Sequence, residues 1–271
     1  MQNRILWPLI VVLVIGLIAI FYPRKATEPP VPLELPDSAQ APAPDAVPRQ
    51  SEPEPPPEFV SRERPEPPAP LPPLDESDEA ARSALTDLGG EALVEEYLVP
   101  DAVIRKFVTT VDSLSRDQLW MKVRAAPPIE GRLQVTEADG DTYLAPANFA
   151  RYRPVALLVA EIDATELAAA YRRHYPLLQQ AYEELGYPGR QFHNRALEVI
   201  EHLLATPSVE GPIRLERPHV LYKYADPGLE ALSSGQKLLI RIGPDNAKIV
   251  RDKLVELRAA LESLSETPAS D

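Results

Sequence analysis

The longest unbroken apolar run of the chain extends from Ile5 to Tyr22 and reads ILWPLIVVLVIGLIAIFY. These 18 residues carry no charge. At about 1.5 Å per residue, a helix of that length reaches roughly 27 Å, enough for a thin hydrocarbon core. Trp7 and Tyr22 lie near its two ends, where amphipathic rings favour the membrane interface. The run therefore predicts a single transmembrane anchor at residues 5–22, preceded by a short tail, residues 1–4.

A cleaved signal peptide is the main alternative for this run. Its cleavage site needs small residues at alternate positions, but Phe21, Tyr22 and Pro23 end the run, so an uncleaved anchor is favoured. Positive charges flank both ends almost equally. Because the first tail is too short to be a domain and the long acidic remainder can cross regardless of charge, we expect an N-in, single-pass protein of the inner membrane with its domain in a bacterial periplasm.

A proline-rich stretch follows, in which the apolar pattern disappears. Of the 32 prolines of the chain, 18 fall within residues 23–74, together with many acids. Such a composition cannot bury a core or form helix or sheet, so residues 23–77 are predicted to be a disordered Pro/Glu-rich linker. Extended as polyproline II it would span on the order of 150 Å. A spacer is favoured over a docking track for a proline-binding groove.

Helical spacing of apolar residues dominates residues 78–264. One stripe runs from Val103 to Leu114 in a helix that begins at Asp101, and another helix is predicted for Glu91–Leu98. Asp139-Gly140 is a hairpin-turn signal between two short strand-like runs. The pattern predicts an α+β, mostly α domain with a small β hairpin or sheet, followed by a disordered tail at residues 265–271.

Several boundaries are set by capping signals. Residues 115–118 and 163–166 resemble capping boxes, and the helix after the second is predicted to run toward Tyr187, kinked or divided by Pro176. Further helices are predicted for Arg190–Ala205, after Asp226, and for residues 245–264, and a strand for residues 219–224. The last helix has a heptad-like stripe, which suits either docking onto the domain's own core, the favoured alternative, or homo-oligomerisation.

The stretch ALSSGQKLLIRIGP, residues 231–244, resembles a phosphate-binding loop. A Walker loop needs two glycines five positions apart and then Lys-Ser/Thr, but here Gln236 separates Gly235 from Lys237. Ser233 and Gln236 instead match a capping box, and Gly243 is placed to end the helix. Helix capping is therefore the interpretation, with casual anion binding at the helix start as the alternative.

The overall charge argues against nucleic acid as a partner. The chain has a net charge of −13, and residues 78–271 hold 22 basic against 30 acidic side chains. An acidic domain repels polyanions. The chain has no cysteine, which fits an oxidising compartment without structural disulfides, although many cytosolic chains also lack cysteine.

Residue types that carry chemistry do not form a catalytic pattern. His193, Glu198 and His202 share one predicted helix, but the two histidines are nine apart and do not match a zincin motif, so we expect these polar groups largely on the outer face. Glu183 and Glu184 are adjacent and point apart on a helix. The sequence therefore predicts no catalytic residue, no cofactor, no metal and no enzymatic activity.

Tyrosine and arginine are concentrated between Tyr171 and Arg195, where four of each occur. Both residue types anchor binding surfaces, so this stretch is the best candidate for a partner surface. A core in which the tyrosines donate hydrogen bonds to neighbouring carboxylates is nevertheless the favoured interpretation, and the partner or ligand surface is the alternative. Residues 151–154, RYRP, are a further candidate contribution. The candidate surface comprises Tyr171, Arg172, Tyr175, Tyr182, Tyr187 and Arg190.

Two long segments carry a family resemblance: YRRHYPLLQQAYEELGYPGRQFHNRALEVIEHLLATP from Tyr171 and GPIRLERPHVLYKYADPGLEALSSGQKLLIRIGPDNA from Gly211. They resemble domain-of-unknown-function family 3014, and the resemblance covers about residues 71–261. It implies a bacterial protein with one N-terminal span, a proline-rich segment and a domain of this architecture. It supplies no reaction and no catalytic residues.

Two functional hypotheses follow from the sequence. The first is a membrane-tethered, non-enzymatic adaptor of the cell envelope, bound to the lipid bilayer through residues 5–22 and to an envelope protein or the cell wall through its domain. The alternative is a periplasmic domain that binds or processes peptidoglycan glycan or peptide. The oligomeric state is left open.

Overall fold

The computed structural model describes residues 70–89, 91, 94–95, 98–117, 125 and 132–265. The predicted anchor, most of the predicted linker and nearly all of the predicted C-terminal tail lie outside these residues, as does the helix predicted to start at the 115–118 capping signal. None of the helices formed by the described residues is long and apolar enough to cross a membrane.

The described chain forms eight α-helices and four short strands. A 3₁₀ turn, Leu74–Glu76, precedes them; it falls in the stretch assigned to the linker, yet Leu74 is buried in the core. The helices are α1 Asp78–Gly89, α2 Val103–Ser113, α3 Ala147–Ala160, α4 Ala164–Glu184, α5 Phe192–Leu204, α6 Pro227–Glu230, α7 Ser234–Arg241 and α8 Pro244–Ser265. The strands are β1 Val135–Ala138, β2 Asp141–Leu144, β3 Arg214–Glu216 and β4 Lys223–Tyr224. The α+β, mostly α class is therefore confirmed.

The main hydrophobic core lies among the long helices. Helix α8 packs against α3, α4 and α5, and α4 packs against α2. The stripe predicted for the last helix faces this core, because Val250, Leu254, Leu257 and Leu261 are all buried. Docking of α8 onto the domain's own core is thus confirmed.

Helix α2 begins with a cap supplied from a distant part of the chain. The sequence predicted that Asp101 begins this helix, but the carboxylate of Asp78 accepts hydrogen bonds from the backbone N–H groups of Ala102 and Val103, each at 2.8 Å. Ala102 has a φ of 51°, in the left-handed region. The first residue of α1 therefore satisfies the first N–H groups of α2 and ties the two helices together.

Helix α4 is a single element of 21 residues with Pro176 in its interior. Asp163 caps its start and accepts from the N–H groups of Thr165 and Glu166. The predicted cap is confirmed, whereas Pro176 does not divide the helix. Helix α3 also contains a proline, Pro154, and was not predicted.

The sheet is antiparallel throughout, with strand order β1-β2-β3-β4. Asp139 and Gly140, with φ values of 54° and 83°, make the predicted turn between β1 and β2. The strand predicted at residues 219–224 is largely wrong, because only Lys223 and Tyr224 belong to β4. A second, smaller hydrophobic cluster covers the sheet and consists of Leu144, Leu215, Tyr224 and Ile240.

Candidate functional site

Three tyrosines of the predicted partner surface belong to the core. Tyr171, Tyr175 and Tyr182 are only 4%, 8% and 1% exposed, so they do not form a surface, and the favoured interpretation of core tyrosines describes them. Arg172, Tyr187 and Arg190 are half-buried at the edge of the same region, and their role in partner binding stays a prediction. Periodicity placed the tyrosines on one helical face, but that face points inward.

These tyrosines form an aromatic cluster between α4 and α5. The rings of Tyr171 and Phe192 stack with centroids 6.4 Å apart, and those of Tyr182 and Tyr187 with centroids 4.6 Å apart. The hydroxyl of Tyr175 lies within hydrogen-bonding distance of the side-chain oxygens of two glutamines, at 3.0 and 2.9 Å. Burial, with a smaller contribution from the charge of Asp112, raises the pKa of Tyr182 to about 12. The cluster is suited to packing, because burial favours the neutral form of Tyr171 and Tyr182.

Next to this cluster, Asp112 at the end of α2 organises an ion network. Its side chain is 7% exposed, and its two carboxylate oxygens accept from Arg195 Nε at 2.8 Å and from Arg116 Nη2 at 2.7 Å. Arg195 also donates to the hydroxyl of Ser115 at 2.6 Å and to Glu198 at 3.2 Å. Both guanidinium groups are thus committed to internal contacts, and the network joins α2 to α5.

The histidines do not assemble a metal centre. His193 was expected on the outer face, but it is 1% exposed, with Nε2 2.9 Å from the hydroxyl of Ser265. Burial lowers its pKa, because the charged imidazolium loses hydration. His202 Nε2 lies 2.8 Å from Ser233 Oγ. Within the described ranges, no three His, Asp or Glu side chains are close enough to hold a metal ion.

The start of α7 confirms the helix-capping interpretation of the glycine-containing loop. Ser233 and Gln236 form the reciprocal capping box. The N–H groups of Ser234 and Gly235 donate to the carbonyls of Arg116 and Leu114 at 2.7 and 2.9 Å. An anion would need these same N–H groups, so their use in internal hydrogen bonds opposes anion binding here.

A small apolar pocket lies between α1, α2 and α4. Its lining includes Ala81, Phe107, Tyr171 and His174, and its volume is about 70 Å³. Pockets for drug-sized ligands have volumes of roughly 300–1,000 Å³. This pocket is therefore too small to hold such a molecule and is suited at most to one small apolar group.

A much larger cavity separates the β1–β2 hairpin from the start of α8. Its volume is about 710 Å³, and its walls come from the hairpin, the segment 207–213, and the helices α3, α7 and α8. Phe149, Ile213, Leu239 and Ala247 contribute apolar surface. This volume falls within the range typical of ligand sites.

Arg251 of α8 lines this cavity, and no carboxylate of the described residues forms an ion pair with it. One guanidinium nitrogen, Nη2, donates to the backbone carbonyl of Thr206 at 2.9 Å. The Nε–H is buried and meets no acceptor, and none of the ion pairs between described residues includes Arg251. A half-buried cation without an anionic partner is costly, so it marks the cavity as a candidate site.

The β3–β4 loop, residues 217–222, presents apolar side chains to solvent. Val220 and Leu221 are 77% and 47% exposed, and they are adjacent in sequence. Arg217 shapes the loop, because its Nε donates to the carbonyl of Val220 at 3.3 Å and its guanidinium lies 5.3 Å from the ring centroid of Tyr222. The sequence pattern predicts a strand at residues 219–224, which overlaps this loop, and gives no sign of an exposed apolar tip.

Most of the described domain belongs to a region of the chain that a family model matches. The family model described as Protein of unknown function (DUF3014) matches residues 103–258, from the start of α2 into α8. The match includes Asp112, Arg251 and the β3–β4 loop, and it confirms the resemblance carried by the two long segments. No curated protein and no solved structure matches the chain. The chain belongs to the family Protein of unknown function (DUF3014).

Proposed function

We propose that this protein is a membrane-tethered, non-enzymatic adaptor of the bacterial cell envelope. In this proposal residues 5–22 anchor it in the inner membrane, the linker holds the domain away from the bilayer, and the periplasmic domain contacts an envelope protein through the β3–β4 loop. The uncharged run and the proline-rich composition support the tether. The exposed apolar tip of the loop supports the adaptor role.

The adjacent exposure of Val220 and Leu221 is the observation that carries the proposal. When a partner buries large apolar side chains that are otherwise in water, the free energy falls by about 25 cal/mol per Å² of apolar surface buried. The other exposed large hydrophobics of the described chain are isolated in sequence: Leu157, Leu185 and Val255. The loop therefore differs from ordinary surface.

The charges of the loop indicate the chemistry of the partner. Arg217 and Lys223 flank the apolar tip in sequence, although the domain as a whole is acidic. Electrostatic complementarity then favours a protein whose apolar groove is rimmed by Asp and Glu. Such a rim would steer the acidic domain into the orientation that presents this loop.

Binding or processing of a wall glycan or peptide is the second candidate, because the cavity beside α8 is large enough for a ligand. Glycoside hydrolysis ordinarily uses two carboxylates that flank the scissile bond. Asp139 supplies the one carboxylate among the described residues that line the cavity. This arrangement favours binding over hydrolysis.

Photo-crosslinking of the full-length protein in living cells tests the adaptor proposal. A photoreactive residue in place of Val220 is expected to give one adduct of defined mass, whereas the same residue in place of Val255, which is 47% exposed on α8, gives none. Leu221→Ser and Arg217→Glu should each reduce the adduct at least fivefold. Equal labelling at both positions, or an adduct that neither substitution changes, would refute the loop as the contact surface.

Alkaline phosphatase fused after Leu74 tests the membrane placement separately. The enzyme is active only after export, so the proposal predicts an active reporter in the full anchor background and an inactive one when residues 5–22 are deleted. An inactive reporter with the anchor present would disprove the periplasmic placement.

A further inference from the structure

We propose that the cavity beside α8 binds a small ligand that carries a carboxylate on an apolar body, and that Arg251 holds the carboxylate. None of residues 217–222 lines this cavity, and the proposal goes beyond the adaptor role. The cavity volume of about 710 Å³ accommodates a molecule the size of a typical cofactor or drug.

The walls of the cavity determine the body of the ligand. Apolar side chains reach it from five separate parts of the fold, including Phe149 of α3, Ile213 before β3 and Leu239 of α7. Polar contacts are few, and Tyr143 and Ser208 are among the residues that supply them. A mostly apolar wall with a few polar groups binds an apolar molecule and fixes its orientation.

The state of Arg251 determines the charge of the ligand. Three other half-buried or buried cations of the described domain have carboxylate partners: Arg195 pairs with Asp112, Lys237 with Glu230, and Lys253 with Glu256. Arg251 has only the carbonyl of Thr206, and its buried Nε–H faces no acceptor among the described residues. A ligand carboxylate in the cavity would supply the missing charge beside the guanidinium.

One cation indicates one anionic group. Asp139 at the hairpin turn also lines the cavity and would repel a second negative charge. A monocarboxylate is therefore expected to bind more tightly than a dicarboxylate of the same size. Two sources offer this chemistry, a free apolar acid and the C-terminal carboxylate of a short apolar peptide.

Calorimetric titration of the full-length protein in lipid nanodiscs tests the proposal. The first probe is 4-phenylbutyrate, which is water-soluble, and its matched control is 4-phenylbutanamide, which has the same body without the charge. The second pair is N-acetyl-Leu-Phe with a free carboxylate and with a C-terminal amide. At least tenfold tighter binding of an acid than of its amide is expected, and the tighter of the two acids identifies the source.

Substitutions distinguish the contribution of the Arg251 guanidinium to binding from that of the apolar cavity. Arg251→Gln should abolish the preference for the acid, whereas Arg251→Lys should retain part of it. Arg258→Gln is the matched control, since Arg258 lies on the same helix and pairs with Glu262 at 3.7 Å, and it should leave binding unchanged. Val209→Trp, which fills the cavity and keeps Arg251, should weaken the binding of the acid and of the amide equally.

Three results would overturn the proposal. They are equal affinity for acid and amide in the unsubstituted protein, an acid preference that survives Arg251→Gln in a folded variant, and the absence of measurable heat with both acids at millimolar concentration. Each of these results leaves the adaptor proposal unaffected, because that proposal is tested by photo-crosslinking at Val220.

Discussion

Two half-buried arginines of the same domain have opposite surroundings. Arg195 lies in the ion network between α2 and α5, which we call the helical side, and donates to Asp112, Ser115 and Glu198. Arg251 lies at the cavity beside the β1–β2 hairpin, which we call the sheet side, and donates to one backbone carbonyl. The helical side uses its charge to join its own helices, whereas the sheet side leaves a charge available to another molecule. We therefore expect the ion network to contribute to stability, whereas the proposed binding belongs to a different region of the same domain.

Packing shows the same division. On the helical side, a Cβ added at Gly235 would lie 2.5 Å from Leu203 Cδ2 and 2.8 Å from the carbonyl oxygen of Leu114, so the backbones are in close contact. On the sheet side, a cavity of about 710 Å³ and the exposed side chains of Val220 and Leu221 remain. We therefore expect substitutions on the helical side to lower the free energy of unfolding strongly, and substitutions on the sheet side to change it little.

Asp112→Ala should have the largest effect on stability. It removes the carboxylate that pairs with Arg195 and Arg116 and leaves a half-buried guanidinium without its main partner. Breaking a buried ion pair from one side costs about 3 kcal/mol. The free energy of unfolding by urea, followed by circular dichroism of the full-length chain, measures the loss. Asp252→Ala, in the exposed pair with Lys248, is the control and should cost less than about 0.5 kcal/mol. Equal losses for the two variants would contradict the structural role of the network.

Gly235→Ala should have the next largest effect. Alanine is normally the better helix former by about 1 kcal/mol, so a neutral environment would give a more stable protein. The contacts with Leu203 and with the Leu114 carbonyl leave no room for the methyl group, and overpacking of this kind costs about 2 kcal/mol net. A lowered melting temperature is expected, and an increase would show that α7 does not press against the end of α2.

A smaller, pH-dependent effect is expected from His193. Burial lowers its pKa below the ordinary value of 6.5, so the unfolded chain binds a proton more readily than the folded one. Its contribution to stability is therefore complete above pH 6.5 and is lost as the pH falls through the lowered folded-state pKa. His193→Gln should make the decrease in unfolding free energy between pH 7.5 and 5.5 shallower than in the unsubstituted protein. Identical slopes for the two proteins would disprove this account.

The sequence predicts features that act over a few residues. The caps at Asp163, Asp226 and Ser233 and the turn at Asp139-Gly140 are confirmed, because each forms between neighbours within four positions. Helix α3 was missed, since RYRP interrupts its composition and it shows no amphipathic stripe. The cap of α2 was also missed, because Asp78 acts across 24 positions.

The candidate sites depended on information that the sequence does not contain. Tyrosine is amphipathic, so a face with Tyr171 and Tyr175 suits a surface as well as a core, and only the packing of α5 against α4 decides. Arg251 looks like any polar residue of an amphipathic helix. Its importance follows from the absence of a nearby carboxylate within the described domain, which depends on distances between α8 and the segment after α5.

Arg251→Leu should have the smallest effect on stability, and it tests directly the difference between Arg251 and Arg195. The substitution loses one hydrogen bond to the Thr206 carbonyl, worth about 1 kcal/mol, but it also removes the cost of a half-buried charge without a carboxylate. The net change in unfolding free energy should lie within about 1 kcal/mol, and a gain is compatible with the argument. Arg195→Leu, measured in parallel, should cost about 2 kcal/mol more, because it leaves Asp112 with one of its two guanidinium partners. Equal costs for the two substitutions would mean that Arg251 already has its full complement of partners within the protein, and the cavity would then have no free charge to offer a ligand.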